Sequence, residues 1–162
     1  MPPNSTFRRK AIRLPLKAHE SRYAASFTIV THERAPVFAA GGWAAVCIDI
    51  LRMAANASDV RVFAYCVMPD HLHLLAQSCG GASLIDFIGE FKQRTAYRHK
   101  RATGRLLWQK SFRDRFLRRE DDLLTAARYV FANPVREGLV TRPEDYPHSG
   151  SLVWERGVLV EA

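Results

Sequence analysis

The sequence predicts an α+β fold: a ferredoxin-like β-α-β-β-α-β sandwich with an antiparallel sheet, followed by one additional C-terminal helix. Three observations predict it. Short runs rich in β-branched and aromatic residues alternate with amphipathic stretches of helical period. The second and third runs are joined only by Met68-Pro69-Asp70, a link short enough for a hairpin. And 162 residues with 48% hydrophobic content can close one core without disulfide or metal staples.

Met1 to about Lys17 is Pro-rich and basic and reads as a flexible arm, residues 18–152 as a single domain, and 153–162 as a tail. "YAASFTIVTH" (Tyr23 to His32) is the first strand. After the turn at Ala35-Pro36, Phe38 to Ala55 carries Trp43, Val46, Cys47, Ile50, Leu51 and Ala54 at helical spacing. "VRVFAYCVM" (Val60 to Met68) and "HLHLLAQS" (His71 to Ser78) are the second and third strands. Ser83 with Asp86 fits a capping box and starts a helix whose apolar stripe is Leu84, Phe87, Ile88 and Phe91. "SFRDRFLR" (Ser111 to Arg118) is the fourth strand, with Phe112 and Phe116 as its core residues. A last helix runs from Glu120 or Asp121, acids that suit a helix start, to Ala132, and Asn133-Pro134 stops it. From Val135 onward, through "RPEDYPHSGS", the chain is expected to pack loosely.

The charge balance narrows the function classes. Lys+Arg is 24 against Asp+Glu 16, a net +8, which favours a polyanionic partner and nucleic acid ahead of a membrane surface. From Phe91 to Arg119 the chain carries eleven cations, Lys92 to Arg119, and Asp114 is the only acid. Arginine predominates there, and its planar fork suits bidentate phosphate contact. Lys92, Arg94, Arg98, Arg101, Arg105, Arg113, Arg115, Arg118 and Arg119 are therefore candidate DNA contacts. Trp108, set among them in a loop, is a candidate for base stacking. Cys47, Cys66 and Cys79 are odd in number and far apart, and read as reduced thiols in a cytoplasm. No apolar run is long enough to span a bilayer, and no secretory h-region is evident.

The candidate chemistry lies in "PDHLHLL", Pro69 to Leu75. Strand side chains repeat every two residues, so His71 and His73 share one face while Leu72 and Leu74 point to the other, towards the helices. Two adjacent imidazoles can hold one divalent ion, and can equally be a plain surface pair on a solvated sheet. In the last helix, Leu123, Leu124, Ala127, Val130 and Phe131 form one apolar stripe, and Tyr129 lies roughly opposite its centre at about 100° per residue. Asn133, four residues on, shares that face. A phenol can attack a phosphodiester and store its energy as phosphotyrosine. Tyr129 could also cover a sheet, and Asn133 could serve only to end the helix.

With those residues in place, "VMPDHLHLL", "RYVFANPVREGLV" and "RPEDYPHSG" resemble the single-tyrosine HUH transposases, and in particular their REP-associated tyrosine transposase branch. The likeness runs from about Tyr23 to Ser151. It implies cleavage and rejoining of single-stranded DNA on a ferredoxin-like sheet. His71 and His73 match the histidine pair that binds Mg2+ or Mn2+ in the family, Tyr129 the nucleophile joined to the 5′-phosphate, and Asn133 the amide that serves as third ligand. It implies hairpin DNA, typically from repetitive palindromic elements, as partner, and a monomer or homodimer as the working unit. Two other readings stay open: a non-catalytic hairpin DNA- or RNA-binding module, and a metal-dependent single-strand nuclease that uses water.

Overall fold

The computed structural model describes residues 24–118 and 122–160. The basic amino-terminal arm, Tyr23, Arg119 and the acids Glu120 and Asp121 lie outside the described residues.

Five strands form one sheet in the order β4-β1-β3-β2-β5, every neighbouring pair antiparallel. They are β1 (Ala24–Val30), β2 (Val60–Met68), β3 (His71–Ser78), β4 (Arg113–Phe116) and β5 (Ser149–Gly150). The order 4-1-3-2 follows when two strand-helix-strand crossovers interleave. The predicted ferredoxin-like core is present, with β5 added outside β2. Helix α1 (Trp43–Ala57) joins β1 to β2, and α2 (Leu84–Thr103) joins β3 to β4. Helix α3 (Leu123–Phe131), the short α4 (Asn133–Arg136) and α5 (Arg156–Leu159) follow β4.

Both faces of the sheet carry helices, and the strand period decides what each face receives. Leu72, Leu74 and Ala76 of β3 point into one core with Phe27, Ile29, Leu51, Ile88 and Phe91. Leu75, one residue out of phase, points into a second core with Ala64, Cys66, Met68, Ala127, Val130 and Phe131. The β2–β3 register shifts between Val62 and Ala64, so that Phe63 and Ala64 both serve the second core. Helices α1 and α2 therefore cover one face, and α3 with the C-terminal segment covers part of the other.

Several boundaries differ from the sequence expectation, each for a local reason. The first helix begins at Trp43, not Phe38, because Gly41 and Gly42 both sit at φ +72°, outside helical geometry, and Val37–Ala39 is a separate 3-10 turn. The fourth strand is only Arg113–Phe116, an edge strand paired with β1 over four residues. Ser83 caps α2 as expected, its Oγ accepting from Asp86 N–H, and Gly104 at φ +73° ends it. Asp122 caps α3 by accepting from Leu124 N–H at 3.1 Å. Helix α3 ends at Phe131 with Ala132 as its C-cap, as expected just before Asn133-Pro134, and a separate short helix follows. Pro134 stands in the first turn of α4, where a missing N–H breaks no bond.

The segment expected to pack loosely is firmly held. Tyr146 is buried and its Oη donates to the Val67 carbonyl at 2.6 Å. Residues 149–150 pair with Tyr65 and Cys66 of β2. Beyond them, Leu159 is buried in the second core, Trp154 packs against Phe63, and Arg156 donates to the carbonyls of Ser149, Glu144 and Tyr146. Residues 153–160 are thus part of the fold rather than a tail.

Candidate active site

His71 and His73 project from β3 onto the face that α3 only partly covers. Their Nε2 atoms stand 3.1 Å apart with the rings at 88°. Each ring is fixed from behind. Nδ1–H of His71 donates to Asp70 Oδ1 at 2.6 Å, and Arg34 donates to the same carboxylate at 3.3 Å. Nδ1 of His73 lies 3.2 Å from Thr28 Oγ1, its cross-strand partner on β1. A hydroxyl both donates and accepts, so Thr28 supports either tautomer of His73. Burial, with help from His71 and Arg136, lowers the His73 pKa to about 4, so its ring is neutral at pH 7. Burial alone would raise the Asp70 pKa, but the hydrogen bonds and charges of His71 and Arg34 outweigh it and hold the carboxyl low.

This donor set fits a divalent ion. Two imidazoles converge through Nε2, and their Nδ1 atoms are engaged by a carboxylate and a hydroxyl, the outer arrangement that orients histidine ligands. Among the described residues, no third His, Cys, Asp or Glu joins the pair. Further ligands would have to come from amide, solvent or substrate oxygens.

The tyrosine stands across a cleft of about 400 Å³ whose polar lining includes Thr28, His73, Arg115, Asp122, Tyr129 and Arg136. The helical spacing explains its position: α3 buries Ala127, Val130 and Phe131, and leaves Tyr129 65% exposed. Its ring is covered by one guanidinium, with Arg136 Cζ 3.6 Å from the ring centroid. The same guanidinium donates to the Tyr129 carbonyl at 2.7 Å and to Asn133 Oδ1 at 3.1 Å. The remaining tyrosines of the described residues stand elsewhere. Tyr65 and Tyr146 are buried, and burial raises both phenol pKa values, that of Tyr146 to about 12. Tyr97 is exposed on α2, where Arg101 donates to its hydroxyl and lies over its ring.

The predicted residues divide as follows. His73 and Tyr129 line one cleft, with His71 against His73. Asn133 does share a hydrogen-bonding partner with Tyr129, but it is buried while Tyr129 is exposed, because the helical path is broken at Ala132. Its Oδ1 carries Arg136, and its Nδ2 has no partner. Arg115 reaches the cleft and Arg113 an adjoining hollow beside Thr28 and Arg34. Arg94, Arg98 and Arg101 line a separate groove with Tyr97 on α2, across the sheet from the cleft. Arg105 and Arg118 are exposed, and Lys92 donates internally to the Gln109 carbonyl. The expectation for Trp108 is corrected. It is 7% exposed, packs on Phe38 and Phe91, and donates from Nε1 to Thr95 Oγ1 at 2.8 Å. A ring so enclosed cannot stack on a base. Arg136 was missed by the sequence reading, although it stands seven residues after Tyr129 and three after Asn133, a helical repeat of one face.

Fold and cleft together place the molecule in the class of single-tyrosine transposases built on a ferredoxin-like sheet. The chain belongs to the family described as Transposase IS200 like, whose model matches residues 19–132. A Haemophilus influenzae protein named as a REP-associated tyrosine transposase is 29% identical over 104 residues. That match covers 53% of this chain and 56% of the relative, little more than half of its length. A solved REP-associated tyrosine transposase, bound to a REP hairpin, superposes with a TM-score of 0.66 at 21% identity, over 79% of this chain and 76% of that one. A Deinococcus radiodurans protein described as a transposase gives 0.52 at 23% identity, over 72% and 89%. At these identities the two structures establish a shared fold. Among the described residues, no helix is long and apolar enough to cross a membrane.

Proposed function

We propose that this chain is a DNA strand transferase that nicks and rejoins hairpin-bearing single-stranded DNA through Tyr129. The observation that carries the reading is that the exposed tyrosine and a neutral, oriented histidine of the pair line the same cleft. The Tyr129 phenol oxygen attacks the scissile phosphorus. The bond from phosphorus to the 3′ oxygen breaks, the 3′-hydroxyl departs with a proton, and the 5′-phosphate stays on the tyrosine. Rejoining is the reverse: a 3′-hydroxyl attacks the phosphotyrosine and the phenol regains its proton. Arg115 supplies fixed positive charge where the phosphate charge rises.

His71 and His73 would hold Mg2+ or Mn2+, which when bound polarises the phosphate and offsets its developing charge. Asn133 is the third donor the family resemblance implies. Its oxygen accepts one N–H from Arg136 and keeps a second lone pair, so it can serve as third donor beside the imidazole pair. His73 and Tyr129 of one chain line one cleft, which supports a monomer as the working unit, with a homodimer as the alternative. Hairpin DNA from palindromic repeats is the substrate assigned, in line with the REP hairpin bound by the structural relative, and a cytoplasmic location follows from that substrate.

Labelled single-stranded hairpin DNA, incubated with the protein and Mg2+ or Mn2+, is expected to yield a denaturation-resistant protein–DNA adduct. Tyr129→Phe should abolish the adduct and retain DNA binding. Cleavage without an adduct would establish a water-using nuclease instead, and binding without cleavage a recognition module.

A further inference from the structure

We infer that Arg136 is the positioning residue for the nucleophile: it clamps the Tyr129 ring and ties it to the core through Asn133. The inference rests on the strand-transferase reading and adds to it a residue with its own role. An exposed tyrosine on a helix has free rotation between side-chain wells, and a nucleophile that wanders loses the benefit of a fixed attack geometry. Tyr129 is 65% exposed, and the core packs only the opposite side of its helix. What restrains the ring is the guanidinium 3.6 Å from its centroid.

That guanidinium is itself held at two points on one side, by the Tyr129 carbonyl at 2.7 Å and by Asn133 Oδ1 at 3.1 Å. Asn133 is 5% exposed, so its side chain is enclosed, and its Oδ1 meets the guanidinium from the buried side. A chain of contacts therefore runs from a buried amide to a planar cation to the face of the phenol ring. The spacing makes this possible. Residues 129, 133 and 136 are one, two and three turns along a helical face, and the break at Ala132 turns Asn133 inward while leaving Arg136 outside. Arginine is required because its plane stacks on the ring and donates in two directions together; lysine carries the charge with neither the plane nor the fork. Asn133 then has a use besides ending α3, because its amide oxygen anchors the guanidinium.

The test compares wild type, Arg136→Lys and Arg136→Met, with 3-fluorotyrosine placed at position 129 for a second readout. Both variants weaken the bonds to the Asn133 amide and the Tyr129 carbonyl and should melt somewhat lower than wild type, so rates are compared at a temperature where all three are fully folded by circular dichroism. In single-turnover adduct formation, Arg136→Lys should slow the chemical step by about tenfold and Arg136→Met by about a hundredfold, the scale of a misplaced reacting group. Affinity of Arg136→Lys for uncleaved hairpin should match wild type, because the charge is kept. The fluorine resonance of DNA-free wild type should stand apart from its denatured position and return towards it in both variants. Lysine restoring the full rate, or a fluorine signal indifferent to Arg136, would overturn the clamp. A wild type that forms no adduct would instead sink the transferase reading, and the fluorine signal would still decide whether Arg136 holds the ring.

Discussion

Replacing Trp108 separates a core residue from a base-stacking one, and the structure fixes what each substitution should cost. The indole is enclosed by Phe38 at 5.5 Å and Phe91 at 6.2 Å between ring centroids, with Leu107 buried beside it. Trp108→Ala should lose about 3–5 kcal/mol, the range for emptying a buried aromatic site. Trp108→Phe keeps much of the ring but deletes the 2.8 Å bond from Nε1 to Thr95 Oγ1. Thr95 still donates to the Phe91 carbonyl, so the lost bond is worth about 1 kcal/mol, and the smaller ring adds about as much again. A domain of ordinary stability has about 5–15 kcal/mol in total, so the alanine variant sits near its folding limit. Urea unfolding followed by circular dichroism measures these losses. Fluorescence anisotropy with a labelled hairpin, at a temperature where every variant is folded, measures DNA affinity. The buried reading predicts large stability losses and wild-type affinity. A stacking role would cost about 1–3 kcal/mol of binding with stability unchanged. A phenylalanine variant with wild-type stability and DNA affinity reduced about tenfold, roughly 1.4 kcal/mol, would refute the assignment.

Two further outcomes follow from the C-terminal segment. Arg156→Ala removes a cation that donates to three backbone carbonyls and lies 5.2 Å from the Phe131 ring centroid, and should cost roughly 2 kcal/mol in urea unfolding; Lys at 156 should recover only part of it. His148 has its pKa lowered by burial, so the unfolded chain binds its proton more readily than the folded one. Its contribution is full above about pH 6.5, the ordinary value, and is lost as the pH falls through the lower folded value. Stability measured from pH 7 to pH 5 should therefore fall less steeply in His148→Gln than in wild type, and identical slopes would remove His148 from the account.

How much of this was legible depends on whether a signal was periodic or positional. Strands β2 and β3 were readable to the residue because a link as short as Met68-Pro69-Asp70 between apolar runs admits little but a hairpin. The Ser83 cap was readable because the side chain acts on a neighbour three residues away. The shared face of His71 and His73 and the exposure of Tyr129 are pure periodicity, and both hold. Trp108 was misread because cations flank it in sequence, while the loop returns it beneath Phe38, a residue 70 positions earlier. Leu106-Leu107-Trp108 is an apolar triplet, and that was the available warning. The segment from Val135 was misread because its anchors are a phenol, a two-residue strand and an arginine, none of which repeats. Arg136 escaped for a related reason: it stands within a quoted motif and was given no role, and only coordinates reveal the ring beneath it.

The cleft itself follows from where one strand changes its surroundings. Along the face of β3 that looks towards α3, His71 and His73 are polar and half-buried, and Leu75 is fully buried in the second core. The boundary between wet and dry thus falls within two residues, about 7 Å of strand. Helix α3 repeats that boundary across its own width: Ala127 and Val130 close over the dry side, and Tyr129 overhangs the wet one. A helix seated entirely on apolar residues would bury its phenol and raise its pKa, as happens to Tyr146. One standing clear of the sheet would leave the phenol with no imidazole to work beside. Burial of Val130 and exposure of Tyr129 are therefore a single geometric condition, and exchanging the two residues should cost both stability and adduct formation, a loss of activity that no substitution of Tyr129 alone would accompany with unfolding.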